Sequence, residues 1–176
     1  MAKIKSTLDL VMERTKNLSM TDADKEKLRT KEGTDKAHAW IQRYIDGKID
    51  AGEMRKNMDA AIEKLPEIRD ILKRELVRHI QPGRDNSAVI KALERVFGIN
   101  PGPVEELITA SQTQLITRKQ HHLTQLLSDL KQGGVYGTAV VPNINKSSQW
   151  QESVLQAREN LGREIIRFID TGTSSL

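Results

Sequence analysis

The chain has 176 residues, of which 28 are basic and 24 acidic, and a net charge of +4. This length allows one domain with a sizeable core, and closely mixed charges favour a solvated surface over a phosphate-binding stripe. The absence of cysteine excludes disulfides, thiolate metal sites and cysteine nucleophiles.

Aromatic residues make up only 3% of the chain, so any core must be built from Leu, Ile, Val, Met and Ala. These residues fill helix interfaces, and apolar positions recur at helical spacing in almost every segment. We therefore predict an all-α fold, an irregular bundle of six or seven helices forming a single domain over residues 1–176.

The first predicted helix carries Ile4, Val11 and Leu18, seven residues apart on one face. Such a face suits self-association or a protein partner, although it could equally be buried within one chain. A very polar stretch follows, and Gly33 within it indicates an exposed section. We expect residues 1–35 to form an N-terminal arm that projects from the core or swaps between protomers.

Local signals mark where later helices begin and end. Thr21 with Asp24 is typical of a helix start, and the proline- and glycine-rich residues 100–103 predict a tight connector. The longest predicted helix runs from about 104 to 132, and the last from about 148 to 169. We predict that these two helices form the core hairpin of the bundle.

Residues 133–147 form a long connecting loop in this prediction. Its sequence QGGVYGTAVVPN is rich in glycine and β-branched residues, which favours a helix stop followed by an extended crossover or a short hairpin. Its glycines follow a helix, whereas a phosphate-binding loop places them before one. Tyr136, near the centre, is a candidate contact for a ligand or a partner.

The stretch DGKIDAGE, residues 46–53, resembles the second half of a calcium-binding EF-hand loop. The first half does not match, because Gln42 and Tyr44 stand where that loop needs its first two oxygen ligands. The matching positions, which include the turn glycine and the final glutamate, are Asp46, Gly47, Lys48, Ile49, Asp50 and Glu53.

The same residues form a plausible junction between two helices. Gly47 can end one helix in the left-handed conformation, and Asp50 can cap the next while Glu53 completes a capping box. This interpretation disfavours Asp46, Asp50 and Glu53 as metal ligands. We therefore predict no metal site and no cofactor here.

Residues 93–107 resemble the helix-turn-helix of DNA-binding regulators, with Gly98 in the turn. Two features oppose DNA binding. Glu94 stands where such motifs take a small residue, and Glu105 and Glu106 open the presumed recognition helix, where they would repel phosphates.

No grouping of nucleophile, base and acid is evident in the sequence. The adjacent His121 and His122 point about 100° apart on a helix, and Glu75 with His79 lacks the Glu-x-x-His pattern of di-iron bundles. These observations favour a protein that is not an enzyme.

The opening AKIKSTLDLVMERTKNLSMTDADKEKLR resembles the start of a family of uncharacterised bacterial all-helical proteins of similar length. This resemblance implies a bacterial, cytoplasmic origin and no assigned activity. The cysteine-free composition and the lack of a signal peptide or membrane-spanning segment lead to the same expectation.

We expect a non-enzymatic helical interaction or adaptor protein that self-associates or binds a protein partner through helical faces, with no membrane partner. The alternative is a nucleic-acid-binding protein that uses the degenerate helix-turn-helix around residues 93–107. A third hypothesis is an enzyme whose pocket the sequence does not reveal.

Overall fold

The computed structural model describes residues 21–135 and 137–172. Within these ranges the chain is all-helical and contains no strand, so the predicted all-α bundle is confirmed. Its elements are α1 (Asp22–Ile45), α2 (Ala51–Ile62), α3 (Ile68–Arg78), α4 (Ser87–Phe97), α5 (Pro101–Gln132), a 3₁₀ helix (Ile144–Lys146) and α6 (Ser148–Gly172).

Capping residues explain where α1 and α5 begin. Thr21 and Asp24 form the predicted capping box, in which each side chain accepts a hydrogen bond from the other residue's backbone N–H. By contrast, α5 begins at Pro101, three residues before the predicted start. The Asn100 side chain accepts from the Gly102 N–H at 3.1 Å, and a first-turn proline lacks only an N–H that would be unpaired anyway.

Helix α3 lies at the centre of the core. It packs against α1, α2, α4 and α6, and its Ile68, Leu72 and Leu76 have no exposed surface. Because this short helix is covered from several sides, its apolar positions are the most fully removed from water.

The predicted hairpin of α5 and α6 is present, and its base belongs to the core. Val104 and Ile108 of α5 lie in the same buried cluster as Leu161, Ile165 and Ile169 of α6. Beyond Ile108 no residue of α5 is buried. The hairpin therefore contributes to the core through one end, while α3 supplies its centre.

Burial in α1 begins at Gly33, which corrects the expectation that this glycine marks an exposed section. Residues 21–32 are exposed, but a Cβ at Gly33 would lie 2.7 Å from both Ile71 Cδ1 and Leu65 Cδ2. The absence of a side chain lets α1 approach α3 closely. The predicted projecting or swapped arm stays a prediction, because residues 1–20 lie outside the described part.

The connection between α5 and α6 begins at a helix stop. Gly134 has a left-handed backbone (φ +81), and the Val135 N–H bonds the Leu130 carbonyl at 2.9 Å, closing the end of α5. The chain then reaches the 3₁₀ helix, where Ile144 is buried. The prediction was an extended crossover or a short hairpin, and none of the described residues of this loop forms the strands of a hairpin.

Candidate functional site

An arginine groove of about 670 Å³ lies between α3 and α6. Its floor includes apolar side chains and a glycine, and its rim is formed by arginines from both helices. The lining residues are Arg74, Val77, Arg78, Leu155, Arg158, Glu159, Gly162, Arg163, Ile166 and Arg167.

Helical spacing places these arginines at the boundary between core and solvent. Arg74 and Arg78 are four residues apart on α3, and Arg163 and Arg167 have the same spacing on α6. Residues four apart share a helix face, so each pair projects on one side. Docking α3 against α6 then brings the two pairs to one groove.

The groove has a strong excess of positive charge. Five arginines and one acid, Glu159, line it, and the buried Glu75 beside it pairs with Arg78, so five arginines against two acids leave a net charge of +3. Arg74 and Arg167 are exposed, and neither has a carboxylate within 4.0 Å among the described residues. Their guanidinium groups therefore remain available to an anionic ligand.

Two side-chain interactions connect the walls of the groove, and one of them is made by the rim residue Arg158. Arg158 donates from Nη2 to the Arg78 carbonyl at 2.6 Å, which ties α6 to the end of α3. A second connection is made by Lys73, which is 9% exposed, with its ammonium 3.5 Å from Asp170 of α6. These bonds hold the two walls in a fixed relation.

A buried carboxyl group supports the groove from the α1 side. Glu75 is 5% exposed, pairs with the Arg78 guanidinium and lies 2.7 Å from His38 Nε2. His79 Nδ1 lies 2.9 Å from the Glu75 carbonyl oxygen, and since a carbonyl only accepts, this nitrogen carries the proton. The cluster joins α1 to α3 and orients Arg78. The sequence showed Glu75 and His79 at helical spacing, but it did not indicate that His38 would join them.

The EF-hand-like segment has the geometry of a helix junction. Gly47 has φ +69, and the Gly47 and Lys48 N–H groups bond the Tyr44 and Arg43 carbonyls, the pattern of a Schellman motif. The Asp50 side chain accepts from the Glu53 N–H at 2.7 Å and so caps α2.

Its three candidate carboxylates have protein partners. Lys48 and Gln42 donate to Asp46, and these hydrogen bonds, Lys48 first, lower the Asp46 pKa below its usual value. The predicted return bond of the capping box is not formed, because the Glu53 carboxylate lies 3.9 Å from Arg43 instead. Within the described part of the chain, no group of three or more His, Asp or Glu residues is arranged to hold a metal ion.

The helix-turn-helix candidate corresponds to α4, a turn and the start of α5. Gly98 has a left-handed backbone in this turn (φ +73), as the resemblance implies. Glu94 is exposed, so it does not lie at the helix crossing. Glu105 and Glu106 are also exposed on the first turns of α5, where they would meet an approaching phosphate backbone.

The other predicted contact residues cannot be placed relative to the groove. Ile4, Val11, Leu18 and Tyr136 lie outside the described residues. The arginine groove itself was missed at the level of sequence, where mixed charge was interpreted as a solvated surface. The four-residue spacing of the arginines was visible in the sequence, but the two pairs lie 89 residues apart.

Comparison with protein-family models, curated proteins and solved structures finds no significant match to this chain. Across residues 21–135 and 137–172, no helix combines the length and apolar character that a bilayer span requires.

Proposed function

We propose that this protein is a non-enzymatic helical interaction protein, an adaptor that binds an acidic partner through the arginine groove. One observation carries the proposal: five arginines surround an apolar floor between two helices that are tied together. The cysteine-free composition suits a reducing compartment, so we place this activity in the cytoplasm of a bacterium, following the resemblance of the N-terminal segment.

Two physical effects support binding at this groove. A guanidinium group presents a planar fork of donors that matches a carboxylate in bidentate geometry. The apolar floor, which includes the half-exposed Leu155, adds about 25 cal/mol for each Å² that a partner removes from water. Charge on the rim then favours acidic partners and speeds their encounter.

Self-association is the second part of the proposal, so the protein would act as a homo-oligomer. The helical face of Ile4, Val11 and Leu18 is its sequence support. In the described part, Ile116 and Leu127 of α5 are 51% and 43% exposed. They are eleven residues apart, about three helical turns, and thus on one face.

Nucleic-acid binding through residues 93–107 is the alternative. Its support is the Gly98 turn, and the exposed Glu105 and Glu106 oppose it. We keep it as an outcome of the experiment that tests the groove.

The experiment is a native pull-down followed by mass spectrometry on three forms of the full chain. These are the wild type, the groove variant Arg74→Glu/Arg167→Glu, and the control Arg55→Glu/Arg69→Glu, which changes two exposed arginines outside the groove. We expect a specific protein partner with the wild type and the control, and its loss from the groove variant. Recovery of nucleic acid alone, of a metabolite alone, or of the same partner with all three forms contradicts the proposal.

A further inference from the structure

The arginine groove has the dimensions of a binding site for one helix. From Leu155 to Arg167 it follows α6 over twelve residue steps, or about 18 Å at 1.5 Å per residue. It is thus long enough for about three turns of a helix.

The floor of the groove is shaped for close approach. Gly162 lies midway along it and has no side chain, and a Cβ there would lie 4.0 Å from Val77 Cγ1. Leu155 and Ile166 lie on either side of Gly162 along α6. A partner helix with apolar side chains one turn apart can pack them against this short apolar row and approach closely at the central glycine.

Arginines stand on both sides of this floor. Arg74 projects from α3 and Arg167 from α6, and neither has a carboxylate partner among the described residues. An occupant that fits both the floor and the rim must have an apolar stripe flanked by acidic residues.

Two competing occupants fit less well. No aromatic residue lines the groove, so bases of a nucleic acid would find no stacking surface. Residues 1–20 of this chain hold four basic and two acidic residues, the same sign of charge as the groove. Charge complementarity therefore favours a different protein.

We propose that the groove binds an acidic amphipathic α-helix of a partner protein, with its apolar stripe on Leu155 and Ile166 and its carboxylates on Arg74 and Arg167. This inference rests on the proposed function and specifies the chemistry of the partner. Docking one face of such a helix in a groove is an established mode of peptide recognition.

Fluorescence anisotropy with the full chain tests this inference with four labelled probes. The first is a helix-forming peptide of about 16 residues, or four to five turns, with Leu along one face and Glu on both flanks. The second replaces each Leu by Ser, the third replaces each Glu by Lys, and the fourth is a single-stranded oligonucleotide of the same charge as the first.

We expect the first probe to bind at least about tenfold more tightly than the other three. Its affinity should fall about tenfold or more in Arg74→Ala/Arg167→Ala and also in Leu155→Ser, but not in the control Arg55→Ala/Arg69→Ala. All of these positions are exposed, and a circular dichroism spectrum checks that each variant is folded.

Failure of the first probe to bind, or tighter binding of the oligonucleotide, overturns the inference. Equal affinity for the Leu and Ser peptides also overturns it, because the groove would then be a general polyanion site. If the pull-down loses its partner in the groove variant while the helix probe does not bind, the proposed function stands and only the helical chemistry of the partner is wrong.

Discussion

Single residues decide whether DGKIDAGE is a metal site or a helix junction. A metal site requires free carboxylate oxygens, but Asp46 accepts from Lys48 and Gln42, and Asp50 accepts from the Glu53 backbone. A cation bound here would displace these hydrogen-bond donors. The segment also lacks the first two oxygen ligands of an EF-hand loop, so the lost hydrogen bonds would not be compensated. The segment has the geometry of a junction between α1 and α2.

Asp50→Ala should lower the free energy of unfolding by about 1 kcal/mol, because the Glu53 N–H loses its side-chain acceptor at the start of α2. Urea denaturation measures this loss. Asp59→Ala is the matched control, since Asp59 is exposed in the last turns of the same helix and its side chain makes no hydrogen bond or ion pair with a described residue. It should change stability by less than about 0.5 kcal/mol.

Calcium should leave the melting temperature of the wild type unchanged. A calcium-dependent rise that disappears in Glu53→Gln would show that the junction is a metal site after all.

At the scale of elements, most helix ends were predictable because their signals are local. The Thr21 and Asp24 capping box and the left-handed Gly47 and Gly98 involve residues within a few positions of one another. The predicted start of α5 was wrong because the prolines before residue 104 were interpreted as part of a connector. A proline in the first turn of a helix needs no hydrogen-bond partner for its nitrogen, so the helix can begin there. The Gly33 crossing was missed because it depends on a helix more than 30 residues away.

Gly33→Val should destabilise the protein by about 2 kcal/mol through overpacking between α1 and α3. The Cβ would lie 2.7 Å from Ile71 Cδ1, well inside van der Waals contact, so the two helices must separate or the side chains must shift. Valine has no lower helix propensity than glycine, so a loss of stability measured by thermal or urea denaturation reports the steric contact between α1 and α3.

Gly172→Val provides the control for this crossing. Gly172 also lies in a helix, the last residue of α6, but no atom lies within 4 Å of its Cβ. We expect a change within about 0.5 kcal/mol. Equal effects of the two substitutions would mean that the close approach at Gly33 does not limit the packing of α1.

At the scale of the whole molecule, the groove could not be inferred from either of its segments alone. Arg74 and Arg167 are 93 residues apart in sequence, and they line the same groove because α3 packs against α6. The same docking depends on Arg158 and Lys73, whose partners are a backbone carbonyl and an aspartate of the other helix. Helix periodicity predicts which face is apolar, but not which charged edges meet.

The distribution of burial predicts a gradient of local stability. Leu72 and Leu76 of α3 have no exposed surface, whereas the second half of α5 has no buried residue. Opening free energies rise with burial, so amides of α3 should exchange with solvent at least about 100-fold more slowly than those of residues 119–132. Hydrogen exchange followed by mass spectrometry at low protein concentration measures this ratio.

Repeating the exchange at high protein concentration separates the monomer from an assembly. If Ile116 and Leu127 are covered by a second copy, protection of residues 119–132 should rise with concentration while that of α3 stays constant. Ile116→Gln/Leu127→Gln should abolish the rise, since both side chains are already substantially exposed and their replacement leaves the core intact. Protection that is independent of concentration would exclude self-association through this face of α5.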